Sequence, residues 1–523
     1  MRKIFLYGPP GSGKSTTGKL LAQNLNLPFV DIDAQIESVA GMPISEIMAG
    51  QGESVFRDLE SAAIARVCAA DGVFALGGGA LLRDENRARV ESAGQVIFLE
   101  VDLATLLSRL SPDESQRPLL AGDPQTKLKN LMERRKEHYD SFTCRVTNIC
   151  SDNPEDLKTP EQMAWEIRQR LGRYHVRGMG AGYDVVVEPG GLDRLGEVLK
   201  ERGLQGSAVI VCDENVAPLY ADRALKALHE AGLPARTLVI PAGEEHKTLE
   251  TVASLWRGFL GAGLDRHSTV VALGGGVVGD LTGFAASTFM RGCAWAAVPT
   301  TLLAMVDASM GGKTGFDLPE GKNLVGSFYP PRLVLADPQV LSTLPERELR
   351  SGLAEVVKHG IISDPELFEL CVQGWDAVSS DLFEIVRRAM GVKVQIIEQD
   401  PFEQGRRAAL NLGHTVGHAV EIVSQYRLRH GEAVAIGMVA EARLAEKLGL
   451  TEERNGLSCQ IKAVLADLGL PTEIPSDLAV PAMIQAMKMD KKKERQVVKF
   501  ALPVKIGEVK VGVAVSDLEE VLG

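Results

Sequence analysis

Paired cysteines, a long apolar run and an excess of positive charge are all missing from this chain, and each absence removes a class of protein. The seven cysteines stand singly at positions 68, 144, 150, 212, 293, 371 and 459, with no CxxC pair among them. That argues against a disulfide framework or a cysteine-rich zinc site and suits a reducing cytoplasm. No apolar run reaches the roughly 18 residues that a membrane span needs. The strand pattern at Ile4–Tyr7 begins before there is room for a signal peptide, so none is expected. A formal net charge of −12 argues against a general nucleic-acid surface and leaves anionic small molecules to individually placed Lys and Arg side chains. A cytoplasmic enzyme with neither nucleic-acid nor membrane partners is the expected class.

At 523 residues, 45% hydrophobic and 24% charged, the chain is too long for one core, and two or more domains are expected. The apolar run Ile4-Phe5-Leu6-Tyr7 leads into Gly8-Pro9-Pro10-Gly11-Ser12-Gly13-Lys14-Ser15 and then a helical pattern from Thr16 to Leu25. This is G-x-x-x-x-G-K-[ST] in its strand–loop–helix setting. Loop N–H groups from Gly11 to Thr16 wrap phosphates, Lys14 reaches the β- and γ-phosphates, and the Ser15 hydroxyl holds Mg²⁺. ATP with Mg²⁺ is therefore the expected ligand.

The next strand ends in Asp31-Ile32-Asp33, at the carboxyl edge where α/β sheets bind ligands. One aspartate can support Mg²⁺ and the other a substrate hydroxyl, although such a pair also serves as a turn or helix cap. Phe56-Arg57 falls in a helical pattern with Glu53 and Glu60, where a surface ion pair is the plain alternative. Val73–Leu76 reads as a strand ended by Gly77-Gly78-Gly79, which lets a ligand lie against backbone.

Segment 151–182 shows no strand pattern. Met163–Leu171 suits a last helix of the first domain, and Gly172–Gly182 reads as a linker or entry turn, which sets a boundary near residue 172. Beyond it, apolar strands alternate with helical stretches, implying a parallel sheet. Thr269–Leu273 runs into Gly274-Gly275-Gly276 and a helix-like segment; Gly311-Gly312 leads into Lys313, with Lys322-Asn323 close behind. Strand, glycine turn and helix bring backbone N–H groups to a phosphate, so this stretch is expected to hold anionic ligands. Asp213 ends a strand where ribose hydroxyls can be gripped, but the chain is read as lacking G-x-G-x-x-G, so a dinucleotide is not inferred from the usual fingerprint.

After about residue 340 the runs 346–359, 381–399 and 415–424 keep a helical period, implying an α-helical half that faces the α/β half across a cleft. His414-x-x-x-His418 places two imidazoles on one helical face as a candidate zinc pair. A catalytic zinc takes about three protein ligands, so Glu355 and His430 join the candidates, with Arg407 and Asn411 nearby.

Taken in order, the P-loop, Asp31-x-Asp33, Phe56-Arg57, the glycine triplet and Arg117-Pro118-Leu119-Leu120 resemble the shikimate kinase family over residues 1–172. The resemblance implies that Asp33 binds shikimate hydroxyls and assists transfer to one of them. It implies that Arg57 and Arg135 pair with the carboxylate, that Gly78 and Gly79 touch the ring, and that Arg117 closes a lid at 111–123 over ATP. The chain departs from the family's Arg-x-Pro-x-Tyr at Arg135-Lys136-Glu137-His138-Tyr139, where Glu137 stands in place of proline.

Over residues 173–523, PAGEEHKT, GGGVVGDLTGF, VPTTLLAMVDASMGGKTGFD, GKNLVGSFYPP, LAEVVKHG, NLGHTVGHAVE and HGEAVAIGM are similar to the 3-dehydroquinate synthase family. That resemblance implies an NAD-binding α/β half at about 173–340 and a helical metal and substrate half at about 341–523. It assigns Zn²⁺ or Co²⁺ to Glu355, His414 and His430 and leaves His418 for the substrate. NAD falls to Asp213, Asn215, Glu244, Lys247, Gly276, Val277, Val278, Gly279, Asp280, Thr300, Thr301 and Thr343. The substrate falls to Asp307, Lys313, Lys322, Asn323, Lys358, Lys393, Arg407 and Asn411, with Asp307, Lys313 and Lys322 also counted toward the cofactor. Arg291 matches an arginine that reaches a neighbouring subunit, which implies a homodimer. Asp490-Lys491-Lys492 matches a family element without the glycine often found after it.

Together the resemblances imply ATP-dependent phosphorylation of shikimate, and NAD- and metal-dependent conversion of 3-deoxy-D-arabino-heptulosonate 7-phosphate to 3-dehydroquinate and phosphate. The alternative is a metal-dependent polyol dehydrogenase carrying an N-terminal P-loop regulatory module.

Overall fold

The computed structural model describes residues 3–110, 124–150, 156–451, 456–490 and 498–522. Arg117 with its lid, and Lys491 and Lys492, lie outside the described residues. The chain divides into two compact units, Met1–His175 and Val176–Gly523.

The first unit is built on Lys3–Tyr7 (β1), Phe29–Asp31 (β2), Gly72–Ala75 (β3), Gln95–Glu100 (β4) and Arg145–Thr147 (β5), a wholly parallel sheet of order β2-β3-β1-β4-β5. Successive side chains point to opposite faces. Phe5, Tyr7, Phe74 and Phe98 therefore enter one core, while Ile4, Leu6, Val73, Ile97 and Leu99 enter another. Burial on both faces is what a parallel sheet requires. The C-terminal ends of β1, β2 and β3 then bring the P-loop, Asp31 and the glycine triplet to one edge.

Two P-loop glycines are sterically dictated. Gly13 caps the helix Lys14–Asn24 with φ +86°, and a Cβ on Gly8 would stand 2.6 Å from the Leu99 carbonyl oxygen. The helix Pro124–Asp140 carries Arg135 and runs unbroken through the exposed Glu137, where a proline would remove a helical hydrogen bond. The helix Pro160–Leu171 starts three residues before the expected Met163, because Thr159 and Gln162 form a capping box ahead of it.

Arg173–Val176 (β6) falls at the division between the units, and after it come the strands Tyr183–Val187 (β7), Ala208–Asp213 (β8), Ala235–Ile240 (β9), Thr269–Gly274 (β10), Ala294–Pro299 (β11), Lys313–Leu318 (β12), Gly321–Phe328 (β13), Leu333–Ala336 (β14), Val498–Lys505 (β15) and Glu508–Val515 (β16). Seven of them form a sheet of order β6-β7-β14-β11-β10-β8-β9, parallel from β7 to β9. β6 corrects the reading of Gly172–Gly182 as linker: Tyr174 and Val176 are buried between less buried Arg173 and His175, an alternation too short to register beside the glycines that follow.

β12 and β13 form an antiparallel hairpin. The helices Glu346–Ser363, Leu382–Gln399, His414–Val423 and His430–Lys447 build the C-terminal half. A second hairpin, β15–β16, joins this half by adding Val498, Phe500 and Leu502 to the core of Val416, Val420 and Ile436. Among the described residues no helix is long and apolar enough to cross a membrane.

Candidate active sites

In the first unit a cavity of about 650 Å³ is lined by Gly11, Ser12, Gly13, Lys14, Ser15 and Thr16 on one side and by Asp33, Arg57, Gly78, Gly79 and Arg135 on the other. Lys14 Nζ donates to the carbonyls of Gly8 and Pro9, each at 2.9 Å. Ser15 Oγ donates to Asp31 Oδ2 at 2.5 Å. The other oxygen of Asp31 accepts from the N–H groups of Asp33 and Ala34, capping the helix Ile32–Ala40. Asp31 thus serves both as cap and as neighbour of the Ser15 hydroxyl.

Asp33 follows inside that helix, with Oδ1 buried and lacking any hydrogen-bond donor. Burial raises its carboxyl above the ordinary range, with Lys14 opposing. The Arg57 ion pair is not a surface feature: Arg57 donates to Glu60 at 2.8 Å, and Glu60 is only 1% exposed. Glycine is needed where these groups converge. A Cβ on Gly77 would meet Glu60 Oε1 at 2.8 Å and Asp33 Oδ1 at 3.0 Å; one on Gly79 would meet the Arg57 guanidinium at 3.0 Å and that of Arg135 at 3.2 Å. Arg135 donates to the Gly78 carbonyl at 2.8 Å, as does the Tyr139 hydroxyl at 2.9 Å. Base and guanidinium groups therefore flank one strip of bare backbone.

Two residues beyond the sequence reading belong here. Glu60 anchors Arg57, and Arg109 donates to the Gly11 carbonyl at 3.3 Å. The i,i+3 spacing already signalled the first; for the second, only the helical register of Leu103–Leu110 was available.

In the second unit a cavity of about 660 Å³ brings together Asp280, Asp307, Lys313, Asn323, Lys358, Lys393, Arg407, Asn411, His414, His418 and His430. Glu355 lies fully buried against it. Its Oε1 stands 3.7 Å from His414 Nε2 and 3.5 Å from His430 Nε2 and is buried without a hydrogen-bond partner, while Oε2 faces the Lys358 ammonium as an ion pair. Burial works to raise the Glu355 carboxyl, yet Lys358, His430 and His414 overcome it and hold it well below its usual range. Burial, reinforced by Lys358, keeps His414 neutral. For His430 burial acts downward, but Glu355 and Glu421 outweigh it and push the ring up to about 10. A carboxylate and two imidazole nitrogens with this little internal satisfaction fit a divalent cation.

The four-residue spacing of His414 and His418 does not make them a ligand pair. Among the described residues His414 groups with Glu355 and His430, whereas His418 groups with Glu421 and His430. Glu421 was not anticipated. Its Oε1 stands 3.4 Å from His430 Nδ1, which leaves Nε2 for a metal. Glu403 is another addition, pairing with the ammonium of Lys313 and accepting from Asn411 at 3.4 Å.

Most lysines of this cavity sit on an acid. Lys393 pairs with Asp307 and Lys358 with Glu355; outside the lining, Lys247 pairs with Asp280 at 2.7 Å. Burial raises Asp280 to about 6, with Lys247 opposing. Lys247 also donates to Asn323 at 2.6 Å, and Lys322 stands 3.5 Å from Glu244.

β10 feeds Gly274 and Gly275 into the helix Gly276–Thr288, which carries Val277, Val278, Gly279 and Asp280. Gly274-x-Gly276-x-x-Gly279 has the fingerprint spacing, which corrects the reading that the chain lacks it: the motif follows β10 and not the strand that Asp213 ends. A Cβ on Gly279 would meet nothing within 4 Å, so internal packing does not require a glycine there, and room remains for a ligand.

Several expected residues lie outside the cavity lining. Asp213 accepts from the N–H groups of Asn215 and Val216, both at 2.9 Å. The buried Thr300 hydroxyl has no partner, and that of Thr301 accepts from Ala304. Thr343 is bound to the Tyr220 hydroxyl at 2.6 Å. Arg291 is exposed, with φ +67°, on the turn Phe289–Arg291.

A P-loop site beside a shielded carboxylate, and a carboxylate–histidine centre beside a glycine turn, define an enzyme with two catalytic units, one a phosphotransferase. Residues 10–171 match the family model for shikimate kinase, and residues 237–351 and 352–493 match those for the N- and C-terminal parts of 3-dehydroquinate synthase. Over 342 residues the chain is 46% identical to a 3-dehydroquinate synthase of Synechocystis sp., covering 64% of this chain and 94% of that protein. It is 45% identical over 332 residues to one from Symbiobacterium thermophilum, covering 62% and 92%. The chain belongs to the 3-dehydroquinate synthase family and carries a shikimate kinase domain ahead of it.

Among solved structures it is similar to a 2-epi-5-epi-valiolone synthase from Streptomyces hygroscopicus with NAD⁺ and Zn²⁺ bound, at 32% identity and TM-score 0.58, covering 66% of this chain and 97% of that one. It is also similar to a 2-deoxy-scyllo-inosose synthase complexed with carbaglucose-6-phosphate, NAD⁺ and Co²⁺, at 27% identity and TM-score 0.59, covering 65% and 94%. These matches do not favour a polyol dehydrogenase with a regulatory module.

Proposed function

We propose that residues 1–172 phosphorylate shikimate from ATP, and that residues 173–523 convert 3-deoxy-D-arabino-heptulosonate 7-phosphate to 3-dehydroquinate and phosphate. The observation that carries the second assignment is the buried Glu355 carboxylate, its Oε1 without a hydrogen-bond partner, facing His414 and His430 in a cavity that also holds Lys313, Lys393 and Arg407.

In the kinase unit, Gly11 to Thr16 wrap the ATP phosphates, Lys14 neutralises charge at the transferring group, and Ser15 holds Mg²⁺. Arg57 and Arg135 clamp the shikimate carboxylate over Gly78 and Gly79. Asp33, its proton affinity raised by burial, then takes the proton of the attacking hydroxyl.

In the synthase unit, Glu355, His414 and His430 would hold Zn²⁺ or Co²⁺, and the turn at Gly276–Asp280, with Asp213, Asn215, Glu244, Lys247, Thr300, Thr301 and Thr343, would hold NAD. When bound, the ion supplies Lewis acidity and NAD supplies reversible hydride storage. Lys313, Lys393 and Arg407 hold the substrate's phosphate and carboxylate. Asn323, Lys358 and Asn411 fix its hydroxyls, and His418 moves a proton at the reacting ring. The NAD⁺ and Zn²⁺ or Co²⁺ in the similar synthases support this reading.

Arg291, exposed and outside the cavity, suits a contact to a second copy, so we propose a homodimer through the synthase unit. Seven free cysteines suit a reducing cytoplasm. Metal content and both activities measured on one purified sample test the proposal. ATP-dependent shikimate phosphorylation and metal- and NAD-dependent phosphate release are expected, and phosphate release that survives complete metal stripping sinks the metal assignment.

A further inference from the structure

We propose that the ring of Tyr426 is a positioning residue for Lys322, holding its ammonium ready for an anionic ligand at the mouth of the synthase cleft. This rests on the reading of Lys322 as a ligand contact. Lys322 projects from the exposed edge of β13, and its Nζ stands 4.0 Å from the centre of the Tyr426 ring. Glu244 of the α/β half adds a looser contact at 3.5 Å, and Lys322 also helps to hold the Glu421 carboxyl low from across the cleft.

The backbone beneath that ring is unusual. The helix His414–Val423 ends with Gln425 at φ +54° and Tyr426 at φ +59°; Tyr426 N–H donates to Glu421 O at 2.8 Å and Gln425 N–H to Ile422 O at 3.0 Å. A helix terminus of this kind ordinarily gives its left-handed position to glycine, and an aromatic residue there is strained. Core packing does not account for the choice, because Tyr426 is 51% exposed. On the facing side Asn323 is also left-handed, at φ +54°, with its N–H on Asp317 at 2.7 Å, which fixes the turn that carries Lys322. A strained Tyr426 and a left-handed Asn323, a residue suited to that conformation, thus bring one ammonium and one π-face together.

The chemistry of the contact separates Lys322 from its neighbours. Lys313, Lys358, Lys393 and Lys247 are closed by carboxylates, which an incoming phosphate or carboxylate must displace. An aromatic face attracts a cation without neutralising it. Lys322 is therefore held by a neutral face beside the longer Glu244 pair, so less of its charge is committed to a carboxylate.

The test uses the full chain with its metal and NAD. Tyr426→Leu is expected to raise KM for the heptulosonate phosphate roughly two- to fivefold with kcat little changed, while Tyr426→Phe stays near the parent. Tyr426→Gly suits the left-handed backbone, so it should unfold no earlier than the parent while its KM rises as in Tyr426→Leu. Lys322→Met should raise KM at least as far, and adding Tyr426→Leu to it should cost nothing more. A Lys322→Met that leaves KM unchanged overturns the ligand role of Lys322 and the inference with it. A Lys322→Met that raises KM beside a normal Tyr426→Gly overturns the inference alone. Loss in Tyr426→Phe equal to that in Tyr426→Leu would assign the effect to the hydroxyl rather than the ring.

Discussion

The two units bind anions by opposite means. The kinase unit offers a loop of consecutive backbone N–H groups whose glycines leave no side chain in the way, and its lysine leans on carbonyl oxygens. The synthase unit offers lysines delivered from distant elements, nearly all closed by a carboxylate. A backbone site uses neutral donors and needs no counter-charge. A side-chain site must hold several buried ammonium groups, which is tolerable only when each is paired. The first design is local and rigid; the second has to exchange partners when substrate arrives.

The comparison breaks most sharply when each unit is disabled alone. Asp33→Asn is expected to lower shikimate phosphorylation by about 10³-fold, within the range for loss of a positioned general base, with phosphate release by the synthase unit unchanged. Glu355→Ala should do the reverse, abolishing metal retention and synthase turnover while phosphorylation continues; assaying both reactions on each variant checks the pair.

A smaller effect is expected from Glu421→Ala, which removes the carboxylate behind His430. Metal affinity should fall about 10- to 100-fold, read by competition with a chromogenic chelator. Gly79→Ala places a methyl against both arginines and should raise KM for shikimate by roughly tenfold, the scale of about 1.4 kcal/mol of lost binding.

The smallest effect is a displacement along the pH axis. Asp33 must be ionised to accept a proton, and burial raises its pKa. Phosphorylation should therefore fall away, as pH drops, at a higher pH than an ordinary aspartate gives; an acid limb at the usual aspartate position would show that Asp33 is better solvated than the structure has it.

What was legible in the sequence follows the same division. The P-loop could be read from eight consecutive letters because its chemistry is contiguous. The burial of Glu60 could not, since an i,i+3 acid–base spacing looks the same on a surface as inside. In the synthase unit the letters alone suggested His414 with His418, because helical spacing is visible and tertiary pairing is not. Glu355 and His430 stood beside that pair as candidates, but only the folded chain sets Glu355 with His414 and His430 and leaves His418 to a different group. Glu403 and Glu421 stayed hidden for a related reason: each acts through a partner that a linear reading treats as self-sufficient. The strand β6 was masked by the glycines beyond it.

Asp31 shows what sharing a part entails. One of its oxygens takes the Ser15 hydroxyl, and the other takes the two N–H groups that begin the helix carrying Asp33. A shift of Asp31 toward an arriving cation would pull on the first turn of that helix, and the base would travel with it. The Ser15 hydroxyl and the first turn of the Asp33 helix are therefore two ends of one short lever, and a displacement of Asp31 would be felt at both.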